Sequence, residues 1–326
     1  FAHRLPSLAA DMSLYTPLQA RKQRTGSPVV VVSPGGLRAE MQERYHSASI
    51  PVFNDLPTGF DALAAVYALR TYAAERASTA AESTAPRLAP DRVAKIRDAL
   101  QRPLGRAFLT EMESAAILRT AGLPMVASTH VADVPAAVHA AEATGYPLVL
   151  KAITPGIAHK HDAGLVEVGI AGESALTAAW SRIGAKLAKL GQDADGVTIV
   201  LQPMVASRAE VIIGSTREPG LGHFLLVGLG GVNAELFDSA VLLPVPVAPD
   251  TIRNRVGQSA VGRLLTRLAE RTGRDCVGDI VTALSGLQAL LLAYPDDIQS
   301  IDVNPLLIGD EAAIAVDALI VPTSNS

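Results

Sequence analysis

Apolar and polar positions divide the chain into three zones. Near the start, Val29, Val30, Val31 and Val32 form a short apolar run closed by Ser33, Pro34, Gly35 and Gly36. A run of that length between turn residues predicts a buried parallel strand. A polar helix over 37–46 follows, then a second short strand over 50–53. From residue 57 to about 74, Phe60, Leu63, Ala64, Tyr67 and Ala68 recur at helical spacing. Strand, helix, strand, helix predicts a parallel α/β sheet, and two strands are too few to stand alone. Residues 1–73 therefore read as the end of a domain whose earlier strands lie upstream, and the opening Phe1 suggests a truncated or processed product.

Residues 74–104 are rich in Ala, Ser, Thr and Pro, as in Ala77-Ser78-Thr79-Ala80-Ala81-Glu82-Ser83-Thr84-Ala85-Pro86. That composition buries little and predicts a linker, with a short helix over 91–100 that Asp91 starts. Residues 105–326 carry the pattern of a full domain. Thr110 and Glu113 form a capping box at the start of an amphipathic helix that stops at Gly122. A helix over 134–143 stops at Gly145 in the same way. A strand over 147–152 leads through a polar loop into a strand over 165–170, and a helix around Trp180 follows. Short strands are expected over 197–202, 210–214 and 224–228, then helices, then strands over 298–303 and 313–320. There is no periodic internal repeat.

Composition narrows the function classes. About half the residues are apolar (49%) and the net charge is −4, which is a globular chain with no basic face for nucleic acid. The single cysteine, Cys276, permits no internal disulfide and no cysteine metal site. No uninterrupted apolar run has membrane-spanning length, and the first residues lack the pattern of a signal peptide. The expected location is cytoplasmic, with no membrane partner.

Four features carry chemistry. Lys151 ends an otherwise apolar strand, where a buried ammonium needs an anion such as phosphate, or else snorkels to the surface. The loop Thr154-Pro155-Gly156-Ile157-Ala158-His159-Lys160-His161-Asp162-Ala163-Gly164 joins glycines to imidazoles. Its glycines allow close approach to a phosphate, and a neutral imidazole can take a phosphoryl group. A metal held by His159, His161 and Asp162, or a plain surface loop, fits the same residues. Asp302 and Asn304 alternate with apolar residues on one strand, and Asp317 stands inside a second apolar strand. Two carboxylates and an amide oxygen suit Mg2+, although Asp302 and Asn304 could simply end a strand before Pro305. Gly228-Leu229-Gly230-Gly231 either cradles phosphates or makes a tight turn.

Taken together, these segments resemble the ADP-forming acyl-CoA synthetases, relatives of succinyl-CoA synthetase. The matching segments run in family order. They are Leu109-Thr110-Glu111, Gly122-Leu123-Pro124, Gly145-Tyr146-Pro147-Leu148-Val149-Leu150-Lys151 and His159-Lys160-His161-Asp162-Ala163-Gly164. Leu201-Gln202-Pro203-Met204, Glu210-Val211-Ile212-Ile213-Gly214, Gly228-Leu229-Gly230-Gly231, Ile301-Asp302-Val303-Asn304-Pro305-Leu306 and Ala315-Val316-Asp317 follow. The resemblance implies an α/β chain: the C-terminal part of a flavodoxin-like CoA-ligase domain, then an ATP-grasp domain of two α+β subdomains. It implies the reaction acyl-CoA + ADP + phosphate ⇌ carboxylic acid + CoA + ATP through a phosphohistidine relay. CoA and a carboxylic acid are the implied substrates, with Mg2+ and ATP or ADP bound here. Upstream CoA-binding and CoA-ligase domains are implied partners, and a homo-oligomer is expected.

The resemblance also implies roles for single residues. His159 matches the relay histidine of this domain; the first relay histidine would lie upstream of Phe1, so the fragment alone is expected to be incomplete. Lys151 holds nucleotide phosphates, Leu201, Gln202 and Met204 meet the adenine, Glu210 meets the ribose, and Gly230 and Gly231 belong to the nucleotide site. Asn304 and Asp317 hold Mg2+, with Asp302 beside them. Three positions depart from the family pattern: His161 replaces a serine, Leu165 a second glycine, and Leu242 an arginine. The missing arginine leaves a second reading open, an ATP-grasp module that binds nucleotide for regulation or scaffolding without turnover.

Overall fold

A computed structural model describes residues 8–34, 36–81, 86–100, 107–154, 156–157, 160, 162–192, 196–231 and 240–323. The chain divides into two compact units, residues 1–78 and 79–326.

In the first unit, β1 (Val31–Val32) and β2 (Val52–Phe53) pair in parallel, with α2 (Ala39–Ser47) between them. Met41, Tyr45 and Ile50 form its small buried core. The helix α3 (Leu56–Ala81) packs closely at Gly59, where a Cβ would stand 2.6 Å from Val32 Cγ2. The parallel pairing agrees with the sequence pattern. Two features differ. The helix α1 (Leu8–Thr25) precedes β1 although its apolar residues form no stripe. The alanine-rich stretch expected to begin a linker continues α3 to Ala81, because alanine is the strongest helix former.

The second unit begins with α4 (Pro90–Leu100), whose Ile96 and Leu100 join the large core of this unit. That helix is thus part of the folded unit and not of a free linker. Two antiparallel sheets follow. The small one has the order β3-β6-β4-β5, formed by Thr129–His130, Thr198–Pro203, Leu148–Ile153 and Val166–Ile170. Helices α6 (Val134–Thr144) and α7 (Glu173–Lys189) cover one face of it and bury Leu148, Leu150, Ala152 and Leu201. Strand residues alternate between faces, so Lys151 and Gln202 point the other way.

The large sheet has the order β11-β10-β7-β8-β9, with β12 also paired to β10. These strands are Ala313–Ala315, Ile298–Ile308, Ala209–Glu218, Gly222–Leu229, Val241–Pro244 and, for β12, Ala318–Pro322. Helices α8 (Pro249–Gln258), α9 (Ala260–Thr272) and α10 (Cys276–Ala293) pack against it. By length and composition α10 could cross a membrane, yet 56% of it is buried inside the fold, as befits a core helix. The expected strand over 313–320 is in fact two strands. They break at Val316-Asp317, opposite the place where β10 loses register between Val303 and Leu306.

Helix α5 (Glu111–Thr120) links the start of this unit to its end. Leu109 N donates to Ile320 O at 2.9 Å, and Ile320 N donates to Ser114 Oγ at 3.0 Å. The capping box forms as the sequence indicates: Glu113 N donates to Thr110 Oγ1 at 3.3 Å, and Thr110 N to Glu113 Oε2 at 2.8 Å. This cap fixes the first turn, where Glu111 sits. Replacing Thr110 by alanine should cost about 1 kcal/mol. For a unit of this size that is a fall in Tm of roughly 2–4 °C, measurable by calorimetry; an unchanged Tm would contradict the assigned cap.

Candidate active site: a buried quartet of charges

Four charged side chains meet where the two sheets of the second unit approach each other. Lys151 lies in the middle of β4, paired to Val166 on one side and Val200 on the other, and not at the strand end that its sequence position suggests. Its ammonium donates to Glu111 Oε1 at 3.1 Å and to the Val316 carbonyl at 2.7 Å. Lys160, from the loop between β4 and β5, stands 3.1 Å from Glu111 Oε2 and donates to Asp317 Oδ1 at 3.1 Å. Gln202 Nε2 completes the cluster, donating to Glu111 Oε1 at 3.2 Å and to Ser128 Oγ at 2.8 Å. Both lysine side chains and Glu111 are about 5% exposed, and Asp317 is 27% exposed.

Charges are almost never buried this deeply unless they are paired. Each group's proton affinity reflects the balance. Burial pushes Glu111 up, but the two ammoniums outweigh it and hold its carboxyl below the usual value. Burial pulls Lys160 down, and Asp317 and Glu111 more than offset that, so it stays protonated. Asp317 goes the other way: burial and the neighbouring Glu111 carboxylate raise it to about 6, against the pull of both lysines. Asp317 is therefore the carboxylate of the cluster most in need of a further positive charge.

Other residues singled out in the sequence fall around this cluster. Asn304 and Pro305 face Val316 and Asp317 across the break in the β10 ladders, with Val316 N donating to Pro305 O at 3.2 Å. Asp302 lies two residues back on the same face of β10, opposite Leu319. Glu210 pairs with Leu307 on β7, and its carbonyl accepts from Gly230 N at 2.8 Å. At Gly231, φ is +66° and an added Cβ would stand 3.0 Å from Glu210 Oε2, so Glu210, Gly230 and Gly231 form one group. Met204 is exposed at the end of β6, its N–H already donated to Pro147 O at 3.0 Å.

Leu201 lies within the small sheet. It pairs with Thr129 on one side and Leu150 on the other, and its side chain is in the small core. Gln202 follows it on β6, paired to Val149, with its side chain on the opposite face. His159 and His161 lie outside the described residues. The metal reading of the loop histidines with Asp162 likewise falls outside them. Among the described residues, no group of three or more His, Cys, Asp or Glu is placed to hold a metal. A cavity of about 300 Å³ opens beside Glu111, lined also by Met112, Arg119, Met125 and Ser128.

Glu111 and Lys160 are the site residues that the sequence did not single out. Glu111 is hidden in a capping motif, and Lys160 is one polar residue of a polar loop. A signal for Glu111 existed: Thr110 and Glu113 complete the cap by themselves, which leaves Glu111 at the first helical position without a capping task.

A family model described as an ATP-grasp domain matches residues 98–321. The chain belongs to the ATP-grasp family. Its second unit, with two sheets flanking a charged cluster, is that domain. The beta subunit of an ADP-forming acetate–CoA ligase II of Pyrococcus furiosus is 29% identical over 219 residues, covering 67% of this chain and 92% of that one. An ADP-forming acetate–CoA ligase I of Archaeoglobus fulgidus is 26% identical over 308 residues, or 92% of this chain and 43% of that protein. The solved acetyl-coenzyme A synthetase 1 of Ca. Korarchaeum cryptofilum, in complex with coenzyme A and Ca-AMPCP, superposes with a TM-score of 0.61 at 25% identity. That match covers 72% of this chain and 99% of the solved one. These relatives are ADP-forming acid–CoA ligases, and this chain covers their ATP-grasp part.

The quartet has a titration signature. The Asp317 carboxyl holds its proton more tightly when folded (about 6) than when unfolded (3.8), so stability derived from that proton is present at low pH and lost as pH rises through this window. A 13C NMR titration of the metal-free protein should place the Asp317 midpoint near 6. The pH dependence of wild-type stability should contain a component that falls across the same window, and Asp317→Asn should lack that component. A midpoint at or below the unfolded value would contradict the burial described here.

Proposed function

We propose that the second unit is the nucleotide-handling part of an ADP-forming acyl-CoA synthetase, in which His159 relays a phosphoryl group between an acyl phosphate and ADP. The observation that carries this reading is Lys151. A fully buried ammonium on the inner face of the small sheet, held by Glu111 and Val316, has the charge and the rigidity to receive nucleotide phosphates.

Mg2+ is the second expected component. The donor set fits an ion that is held mainly by phosphate oxygens and water. It offers one carboxylate, Asp317, with the Asn304 amide across the ladder break and Asp302 behind it. The absence of an all-protein metal cage among the described residues suits such an ion. When bound, Mg2+ would neutralise charge on the transferring phosphoryl group. Lys151 would hold and orient the same phosphates, and Glu111 would keep Lys151 in place. In the direction of acyl-CoA synthesis the γ-phosphorus of ATP would form a bond to an imidazole nitrogen of His159 as its bond to the ADP oxygen breaks, and ADP would leave. Gln202, Met204, Glu210, Gly230 and Gly231 are the proposed contacts for the rest of the nucleotide.

The first unit fits the same reading as the end of a flavodoxin-like CoA-ligase domain. Its two strands are parallel, and the Archaeoglobus relative matches across it. CoA, a carboxylic acid and upstream CoA-binding and CoA-ligase domains are the proposed substrates and partners of the whole enzyme.

Incubation with radiolabelled ATP and Mg2+ should give an acid-labile, base-stable phosphoprotein. Label that persists in His159→Ala would remove His159 from the mechanism. Lys151→Met should lower the rate of labelling at least 100-fold, about 2.7 kcal/mol or more of lost transition-state stabilisation. A variant that binds Mg-ATP normally yet never labels, with wild type equally silent, would favour the regulatory reading.

A further inference from the structure

Lys160 has no task in the reaction just described, yet it is buried at the centre of the site. Glu111 comes from a helix, Lys151 from a strand and Asp317 from a strand junction; Lys160 alone of the four comes from a loop. Its side chain is 4% exposed, and its ammonium bridges two carboxylates, one of them 157 residues away. Surface loops do not bury lysine ammoniums without cause, because the desolvation is costly.

Two observations point to a replaceable contact. Lys160 holds Asp317 through Oδ1, the same carboxylate assigned above to the metal. A lysine and a divalent cation cannot both occupy that position without strong repulsion. Lys160 also stands 3.1 Å from Glu111 Oε2, so its ammonium is shared between carboxylates from two different elements and keeps one of them if it gives up the other. Lys151 is held by Glu111 and the Val316 carbonyl instead of by Asp317. Lys160 is therefore the ammonium that a cation on Asp317 would displace, with Glu111 left to hold it. The turn that carries it is a local unit: Leu165 N donates to Lys160 O at 2.8 Å, and Lys186 lies across Gly164, with Nζ 3.0 Å from where a Cβ would be.

We propose that Lys160 is a tethered cation that holds Asp317 in the nucleotide-free protein and yields it to the divalent metal on loading. Resting on the assignment of Asp317 to the metal, this makes Lys160 a positioning residue. Lys160 is held by two carboxylates while metal is absent and by Glu111 alone when metal arrives, which loosens the Lys160–Leu165 contact.

Mn2+ alone, added to the full chain and counted as free ion by electron paramagnetic resonance, tests the exchange. Lys160→Met should bind Mn2+ at least tenfold more tightly than wild type, Lys160→Arg within twofold of wild type, and Asp317→Asn should lose the site in either background. Saturating Mn2+ should also speed deuterium exchange at the Leu165 amide of wild type. Equal Mn2+ affinity in Lys160→Met and wild type, or no Mn2+ bound by either, would overturn the role of Lys160; in the first case, loss of binding in Asp317→Asn leaves the metal assignment standing. Binding that survives Asp317→Asn would overturn both. Should Lys160→Met fail to fold, an unchanged Leu165 exchange rate in wild type on adding Mn2+ overturns the proposal by itself.

Discussion

Glu111 holds two ammoniums, one on each carboxylate oxygen, and the second unit is organised around that contact. Through Lys151 it reaches β4, an inner strand of the small sheet; through Lys160 and Asp317 it reaches the loop after that strand and the broken edge of the large sheet. Its own helix is sewn to β12 at Leu109 and Ser114. A buried ion cluster is a poor source of net stability, because desolvating four charges consumes most of what their attraction returns. Its value is placement. It holds a positive charge, desolvated and rigid, on the inner face of the small sheet, where the proposed nucleotide would meet it.

Much of this arrangement was legible in the sequence, and the parts that were not share one cause. Periodicity and turn residues located most of the strands and helices of the second unit, and Lys151, Asn304 and Asp317 stood out because polar side chains interrupted apolar strands. What sequence spacing could not show was which interruptions meet. Glu111 is far in sequence from both Lys151 and Asp317, and its local context offers a complete helix cap as an explanation. The break at Val316-Asp317 was invisible for a similar reason: residues 313–320 read as one apolar strand, and only pairing with an irregular β10 splits it. Helix α1 and the extension of α3 were missed because neither shows an apolar stripe.

Two departures from the family pattern acquire physical content. Leu165, in place of a second glycine, is fully buried in the core of the small sheet, so the loop ends on an apolar anchor where the family has a flexible residue. Leu242, in place of an arginine, projects an exposed apolar side chain from β9, paired with Leu226. The first change stiffens the exit of the loop. The second leaves an apolar side chain on the surface of the large sheet where the family pattern has a cation.

A structure of this chain bound to ADP and Mg2+ bears most directly on the role given to the quartet. The expected result is a phosphate oxygen within hydrogen-bonding distance of Lys151 Nζ, the metal on Asp317, and Glu111 still bonded to Lys151. Nucleotide bound elsewhere, with all four charges still paired as they are here, would contradict it.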